Sequence, residues 1–181
     1  MDFPPGERYL YNNSGYILLG AIIEKVSGKS YPEFIQERIF KPLGMKNSYY
    51  GSHLTIIPNR AAGYRKTKQG FTHSDFLSMK LPYAAGSLLS TVDDLYTWNQ
   101  ALASGKVVSK KSFQKMITPT KLLSGKTRNY GYGLSVADFF GVQSIDHGGG
   151  IHGFSTFALQ IPEKKIFVAV LNNCPGMEPS P

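Results

Sequence analysis

The sequence is poor in cysteine and in long apolar runs. The single Cys174 excludes an internal disulfide and leaves the redox compartment undecided. No run of apolar residues approaches the length of a membrane-spanning helix, so no membrane span is predicted. The opening residues lack the charged-then-apolar pattern of a signal peptide, and the sequence therefore leaves the localisation open.

Acidic residues are missing between Asp94 and Asp138, although the chain as a whole has a formal net charge of +8. The cations of this interval are Lys106, Lys110, Lys111, Lys115, Lys121, Lys126 and Arg128. One interpretation is an anionic partner such as nucleic acid, lipid or a cell-wall polymer. The other is a solvated surface of helices and loops, which is favoured because no aromatic or glycine-rich nucleic-acid motif is interleaved. No nucleic-acid partner is predicted.

Helix signals come first along the chain. An apolar helix is expected from about Ser14 to Ser27, with Gly28 as its C-terminal stop. Because this helix is apolar on most faces, it is expected to be buried. The capping box Ser30-Tyr31-Pro32-Glu33 begins a second helix, which spans Tyr31–Phe40 and ends before Pro42.

Loops and short strands are expected over residues 43–90, which glycine and proline interrupt repeatedly. A second capping box, Thr91-Val92-Asp93-Asp94, then begins a helix that Gly105 ends. Ser109 caps a short basic helix that ends before Pro119. A length of 181 residues indicates one domain, or most of one.

Strand signals come last. The predicted strands are Tyr130–Asp138, Gln143–His147, Gly153–Ile161 and Ile166–Asn172. The last two are joined by a hairpin turn at residues 162–165. Because Phe167–Leu171 is a continuous apolar run, the final strand is expected to be covered on both faces. Helices followed by an antiparallel sheet define an α+β fold class.

The first polar cluster is Tyr11-Asn12-Asn13, directly before the apolar helix. Tyr11 and Asn13 are expected beside the free N–H groups of the helix start. They are either catalytic polar groups or a satisfied buried pair with an N-cap.

The second polar cluster is His147-Gly148-Gly149-Gly150, at a strand end. Consecutive glycines let a backbone approach a ligand closely, and a histidine before them can carry a proton or hold an anion. The alternative is a flexible turn between strands with an incidental histidine.

Together the two clusters resemble motifs of the serine β-lactamase and penicillin-binding-protein-like hydrolases. The resemblance is strongest to the branch of AmpC-type β-lactamases, D-alanyl-D-alanine carboxypeptidases and esterases. Tyr11-Asn12-Asn13 is similar to the Tyr-x-Asn motif, and His147-Gly148-Gly149 to the third motif, Lys-Thr-Gly or His-x-Gly. The stretches 40–45, 85–95 and 153–173 resemble landmarks of the same family.

The resemblance implies a β-lactamase/transpeptidase-like fold and acyl transfer through a serine, with no cofactor and no metal. It implies that Tyr11 acts as the base and that His147 takes the cation position of the third motif. Asn13 would contact the substrate, together with Gly148, Gly149 and Gly150. The N–H of Gly150 would point into the oxyanion hole.

The family's nucleophile lies in a Ser-x-x-Lys motif several dozen residues before Tyr-x-Asn, whereas Tyr11 is close to the start of this sequence. Ser112-Phe113-Gln114-Lys115 matches the motif but follows the tyrosine, in the wrong order, and chance is the better account. Residues 1–181 are therefore expected to form an incomplete domain. It would lack the Ser-x-x-Lys segment and the C-terminal helix, since the sequence ends at Met177–Pro181.

The expected function is that of a β-lactamase-related serine hydrolase, cleaving an amide or ester in a small molecule or peptide when complete and inactive in this chain. His147 in place of lysine weakens a permanent positive charge near pH 7, which favours esterase or peptidase over β-lactamase activity. The alternatives are a non-catalytic binding or assembly module and an anionic-polymer binder. The strand Phe167–Leu171 would lack a neighbour, which predicts a homodimer or higher oligomer through its edge.

Overall fold

The computed structural model describes residues 2–175, and both helices and strands lie close to their expected positions. The helices are α1 (Ser14–Ser27), α2 (Tyr31–Ile35), α3 (Lys41–Leu43), α4 (Val92–Ser104) and α5 (Lys110–Met116). A π-helical turn, Gln36–Phe40, joins α2 to α3, and 3-10 turns occupy Tyr83–Ala85 and Pro162–Lys164. The first strands are β1 (Tyr49–Tyr50), β2 (Tyr64–Thr67), β3 (Gly70–His73), β4 (Leu88–Leu89), β5 (Thr120–Lys121) and β6 (Thr127–Arg128). The later strands are β7 (Ser135–Phe139), β8 (Val142–Ile151), β9 (Phe154–Ile161) and β10 (Ile166–Asn172).

The last four strands form one sheet in the order β10-β9-β8-β7. Strand β7 pairs antiparallel with β8, so that Ser135 lies opposite Asp146 and Phe139 opposite Val142. Three two-stranded sheets accompany it, β1 with β4, β2 with β3, and β5 with β6. The predicted α+β class, with the main sheet at the end of the chain, is confirmed.

Helix ends follow the local signals of the sequence. Gly28 takes the left-handed conformation after α1 (φ 69°), and its N–H donates to the Glu24 carbonyl. The capping box of Ser30 and Glu33 is formed reciprocally at the start of α2. Ser109 accepts a hydrogen bond from the Ser112 N–H at the start of α5. The predicted helix starts and stops are confirmed at these positions.

The second helical segment does not end before Pro42, as was predicted. The backbone widens into a π-turn over Gln36–Phe40, where the Lys41 N–H donates to the Gln36 carbonyl, and α3 then carries Pro42 in its first turn. A proline is tolerated there because the first N–H groups of a helix have no intrahelical acceptor. The segment ends at Gly44 instead, in the left-handed conformation.

Helix α1 is not buried, so the expectation that this apolar helix is buried is wrong. Gly20 is its only buried residue, whereas Leu18 is 63% and Val26 83% exposed. The buried side of α1 faces Tyr83 and Ala84, close to Gly20. An apolar composition predicts that a helix packs against other elements, but the described residues pack against only one narrow face of α1.

Strand β10 is also covered less than its apolar sequence suggested. Ile166, Val168, Val170 and Leu171 are all exposed, and the strand alternates between exposed and half-buried positions up to Val170. Among the described strands β10 lies at the sheet edge and has only β9 as a neighbour. The expectation of cover on both faces is wrong for this chain, while the expected open edge is observed.

Two smaller differences concern α4 and β7, the first strand of the main sheet. Thr91 caps α4 through the Asp94 N–H, but the Asp94 carboxylate accepts from the Asn47 N–H and the Ser48 hydroxyl, so it joins a loop to the helix. Strand β7 begins at Ser135 rather than at Tyr130, which makes only an isolated bridge to Ser135.

The chain divides into two units. The first comprises Met1–Tyr11, Gln100–His147 and Ala158–Val168, and the second Asn12–Asn99, Gly148–Phe157 and Ala169–Pro181. The core of the second unit is a cluster of buried Tyr31, Ile35, Phe40 and Met45, against which half-buried side chains such as Trp98 pack. The buried apolar residues of the first unit are Ala101, Leu102, Phe113, Ile117, Leu122, Val136, Ile145 and Ile161. The predicted absence of a helix at Met177–Pro181 lies outside the described residues.

No helix within residues 2–175 is both long enough and apolar enough to cross a lipid bilayer.

Candidate active site

Three polar rings meet in the first unit: Tyr11, Tyr130 and His147. The ring centroids of Tyr11 and His147 are 6.1 Å apart, those of Tyr11 and Tyr130 6.0 Å, and those of Tyr130 and His147 6.0 Å. The Tyr130 hydroxyl lies 3.0 Å from Nε2 of His147, within hydrogen-bond distance. Tyr11 and His147 thus lie close together, although 135 residues separate them in sequence. Their chemical roles stay predictions.

His147 enters this cluster because of its place on β8. Its neighbour Ile145 is buried, and successive strand residues point to opposite faces, so His147 shares the Ile145 face and Asp146 the other. Asp146 pairs with Ser135 of β7. Burial raises the pKa of Asp146, while the Ser135 hydroxyl and the nearby His147 act in the opposite direction.

Tyr130 is the member of the cluster that sequence reasoning missed. The sequence pattern predicts it only as the first residue of a strand, since it belongs to no motif with a known spacing. A fourth ring, Tyr9, lies with its centroid 5.6 Å from that of Tyr130. Burial, and then the neighbouring Tyr11, raise the pKa of Tyr9.

Tyr11 and Asn13 are not a buried pair. Tyr11 is 50% exposed, and Asn13 is also exposed. Asn13 occupies the N-cap position of α1 but its side chain makes no capping hydrogen bond. The Gly15 N–H donates instead to Oδ1 of Asn12, at 3.0 Å. The alternative of a satisfied buried pair with an N-cap is therefore wrong for Tyr11 and Asn13. The Asn13 side chain makes no hydrogen bond to the start of α1.

The glycine run is part of β8 rather than a flexible turn. Gly148, Gly149 and Gly150 are exposed strand residues of the second unit. A Cβ on Gly149 would lie 2.7 Å from the Thr156 hydroxyl oxygen, whereas one on Gly150 would meet nothing within 4 Å. The strand therefore presents bare backbone at Gly150, which leaves room for a ligand to approach its peptide groups.

A cavity of about 410 Å³ adjoins Gly150 within the second unit. Arg65, Asp75 and His152 supply its charged or titratable side chains. Arg65 Nη1 lies 3.3 Å from Asp75 Oδ2, and both side chains are largely exposed. The cavity next to the glycine run thus carries a few polar groups on a mainly apolar lining and is open to solvent.

Ser112 lies in the first turn of α5 and is hydrogen-bonded there. Its N–H donates to the Ser109 hydroxyl, and the two hydroxyl oxygens are 3.0 Å apart. The helix spans only Lys110–Met116, and Ser112 is exposed. This geometry supports the interpretation of Ser112-Phe113-Gln114-Lys115 as a chance match.

The cations between Asp94 and Asp138 all have exposed side chains. The ion pairs found within residues 2–175, Lys29 with Glu37 and Arg65 with Asp75, involve none of them. This distribution is typical of a solvated surface.

The chain matches known proteins along its whole length. Residues 1–181 match the family model Beta-lactamase. Penicillin-binding protein 4* of Bacillus subtilis is 32% identical over 94% of this chain and 41% of its own length. D-aminopeptidase of Gluconobacter oxydans is 24% identical over 96% of this chain and 33% of its own length.

A solved structure agrees with the sequence relatives. The octameric penicillin-binding protein homologue from Pyrococcus abyssi superposes with a TM-score of 0.82 at 40% identity, covering 97% of this chain and 41% of that one. This chain therefore spans less than half the length of each of these proteins. The predicted resemblance is confirmed by a family model that covers every residue: the chain belongs to the Beta-lactamase family.

Proposed function

We propose that this chain supplies the later part of a serine hydrolase active site, which cleaves an amide or ester bond through an acyl-enzyme once a Ser-x-x-Lys segment is present. The observation that carries the proposal is the cluster of Tyr11, Tyr130 and His147, since Tyr11 belongs to the Tyr-x-Asn motif and His147 to the third motif. Phenol and imidazole are both side chains that move protons during acyl transfer.

The proposed roles follow the family pattern. Tyr11 accepts a proton from the serine and returns it to the leaving group, and Asn13 contacts the substrate. His147 holds the site that lysine occupies in other members, beside Gly148 and Gly149. The Gly150 N–H stabilises the oxyanion. The open space above Gly150 supports this assignment, because a substrate carbonyl has to approach the backbone there.

The substrate class is narrowed by two observations. A histidine at the third motif carries less positive charge near neutral pH than a lysine, which disfavours β-lactam carboxylate recognition. One relative is named a D-aminopeptidase. We therefore infer peptide or amide substrates first and esters second.

Covalent labelling of the 181-residue chain tests the activity assignment. We expect no mass increase with a fluorophosphonate or penicillin and no hydrolysis of a chromogenic cephalosporin, because Ser112 is the only serine with a lysine three residues later. Turnover that Ser112→Ala abolishes would contradict this expectation and make α5 the nucleophile helix.

The reading frame upstream of Met1 tests the larger proposal. If it encodes a Ser-x-x-Lys segment, the longer product should be acylated, and Tyr11→Phe should slow acylation roughly 10²–10⁴-fold. The Tyr49→Phe variant provides the control, since the Tyr49 hydroxyl bonds only the Lys46 carbonyl. A longer product that is not acylated would contradict the hydrolase assignment.

The second candidate is a non-catalytic binding or assembly module of the same fold. The hydrogen bonding at the start of α5 favours it, since the N–H and the hydroxyl of Ser112, the one serine with a lysine three residues later, both contact the hydroxyl of the N-cap residue Ser109. A native product that carries no Ser-x-x-Lys before Tyr11 and still binds a D-amino acid peptide would support the module over the hydrolase.

We further propose a homodimer or higher oligomer through the edge of β10. Val168 and Val170 are exposed on this strand, and an unpaired edge is a template for another chain. One related protein is octameric. Val168→Lys should raise the monomer fraction in light scattering, while Lys165→Ala in the preceding turn should not. A monomeric unmodified chain at micromolar concentration would contradict the proposal.

A further inference from the structure

Tyr130 is held at its position by backbone contacts on several sides. Its carbonyl accepts two hydrogen bonds from Thr120, one from the N–H (3.1 Å) and one from the hydroxyl (2.7 Å). Its N–H donates to the Arg128 carbonyl at 2.7 Å. It also bridges to Ser135, the first residue of β7. The ring of Tyr130 therefore projects from a backbone with little freedom.

Gly131, the next residue, lets the backbone pass close to the end of α5. A Cβ on Gly131 would lie 1.9 Å from the Met116 carbonyl oxygen, so only glycine fits. The Gly131 N–H donates to the Leu134 carbonyl, and the Tyr132 N–H to the Met116 carbonyl. The close approach of this turn to the end of α5 restricts the direction in which the Tyr130 side chain points.

A hydroxyl suits both protonation states of the imidazole that it contacts. A neutral imidazole has one N–H donor and one bare nitrogen, while a protonated one has two donors. The phenol can donate to a bare Nε2 or accept from a protonated one. The chemistry of the phenol is therefore compatible with the 3.0 Å contact to Nε2 whichever partner donates.

We propose that Tyr130 is a positioning residue, whose hydroxyl holds neutral His147 in the tautomer with the proton on Nδ1 and fixes the direction of Nε2. The phenol donates because it is a stronger acid than an imidazole N–H, and Nε2 accepts because it is the more basic atom. The hydrogen bond at one ring nitrogen sets which nitrogen carries the proton. The meaning of this role for catalysis rests on the proposed function, whereas the contact itself is tested without turnover.

Nuclear magnetic resonance of the uniformly ¹⁵N-labelled 181-residue chain tests the proposal. Long-range ¹H–¹⁵N correlation at about pH 8.5, roughly two units above an ordinary histidine pKa, reports which nitrogen of each neutral ring is protonated. The chain has four histidines, and the signal lost in His147→Gln identifies His147. We expect His147 to be mainly in the Nδ1–H form.

Tyr130→Phe removes the hydroxyl and keeps the ring. We expect the Nδ1–H form of His147 to fall to a minority, since free imidazole side chains favour the Nε2–H form. The matched control is Tyr132→Phe, which removes a hydroxyl from an exposed ring two residues away and should leave the tautomer unchanged. A structural role alone would change the melting temperature but not the tautomer.

Two results would overturn the proposal. The first is a mainly Nε2–H form of His147 in the unmodified chain, which decides the matter even if Tyr130→Phe does not fold. The second is an unchanged Nδ1–H majority in a folded Tyr130→Phe variant. Failure of acyl labelling in the longer product would refute the hydrolase assignment and leave the tautomer result intact, so the two proposals fail separately.

Discussion

Helix α1 and the segment from α2 to α3 are both apolar, neighbouring in sequence and placed in the same unit, yet their side chains have opposite surroundings. Phe40 is 5% exposed in a cluster with Tyr31, Ile35 and Met45. Leu18, Ile22 and Val26, spaced four residues apart along one side of α1, are exposed. Hydrophobicity therefore predicts that a surface prefers a partner, but not that the same stretch of chain contains it.

The contact between the two helical regions is narrow and specific. The Tyr31 N–H donates to the Glu24 carboxylate at 2.7 Å, which joins the end of α1 to the start of α2. The rings of Tyr31 and Tyr83 have centroids 5.3 Å apart. Gly20 faces Tyr83 and Ala84. The comparison between the two regions can be tested by substitutions on either side of this contact.

The largest expected effect is in the buried cluster. Phe40→Ala should lower the free energy of unfolding by about 3–5 kcal/mol, because it removes apolar contacts and leaves a cavity. Leu18→Ala, at an exposed site, should lower it by less than about 1 kcal/mol. Urea titration followed by circular dichroism measures both. Equal losses of unfolding free energy in the two variants would show that Leu18 is buried in solution, and α1 would then not differ from the segment α2 to α3.

Two glycines of α1 should respond to the same substitution with opposite signs. A Cβ on Gly20 would lie 2.5 Å from the Ala84 Cβ and 2.6 Å from Cε1 of Tyr83, so Gly20→Ala should cost about 1–3 kcal/mol. Gly15 has space, with its nearest contact at 3.7 Å, and Gly15→Ala should stabilise the chain by about 0.5–1 kcal/mol. A neutral Gly20→Ala in thermal unfolding would mean that α1 does not pack on Tyr83.

Alkaline pH should weaken the same contact. Burial, and then the Glu24 carboxylate, raise the pKa of Tyr83 to about 12 from an ordinary value of 10.0. The unfolded chain therefore loses this proton first, so the contribution to stability is complete below about pH 10 and declines as the pH rises towards 12. The decline in melting temperature over this range should be shallower in Tyr83→Phe. An identical decline in both proteins would refute the assignment to Tyr83.

The smallest expected effect on stability is on the exposed side of α1. Ile22→Lys should change the free energy of unfolding by no more than about 0.5 kcal/mol, because the side chain already lies in solvent. Sedimentation should nevertheless show less self-association, since exposed apolar surface favours association. The buried counterpart Ile35→Lys should prevent folding. A large loss of stability in Ile22→Lys would place this side of α1 in the core.

Local signals predicted much of the secondary structure because their causes are local. Gly28 ends α1, and Ser30 with Glu33 starts α2, through contacts within a few residues. The π-turn before Pro42 was not predicted, and its last residue, Phe40, packs in a cluster with Tyr31 and Met45. No spacing rule of the sequence specifies that Phe40 contacts Tyr31 and Met45.

The candidate site divides in the same way. Tyr11, Asn13, His147 and the three glycines could be named from motif order, since the family keeps these residue types in fixed sequence. Tyr130 could not, because its contact with His147 arises from the packing of its turn against α5 and the bridge to β7. A single glycine, Gly131, was the sole sequence sign of that packing.

By itself the sequence determined the α+β order of elements, the helix ends at Gly28, Ser30 and Ser109, and the family, since these depend on residue type and short spacing. The tertiary structure decided which apolar surfaces are covered and which hydroxyl meets His147. These features depend on contacts between residues far apart along the chain, and their free energy comes from close packing that residue type alone does not fix.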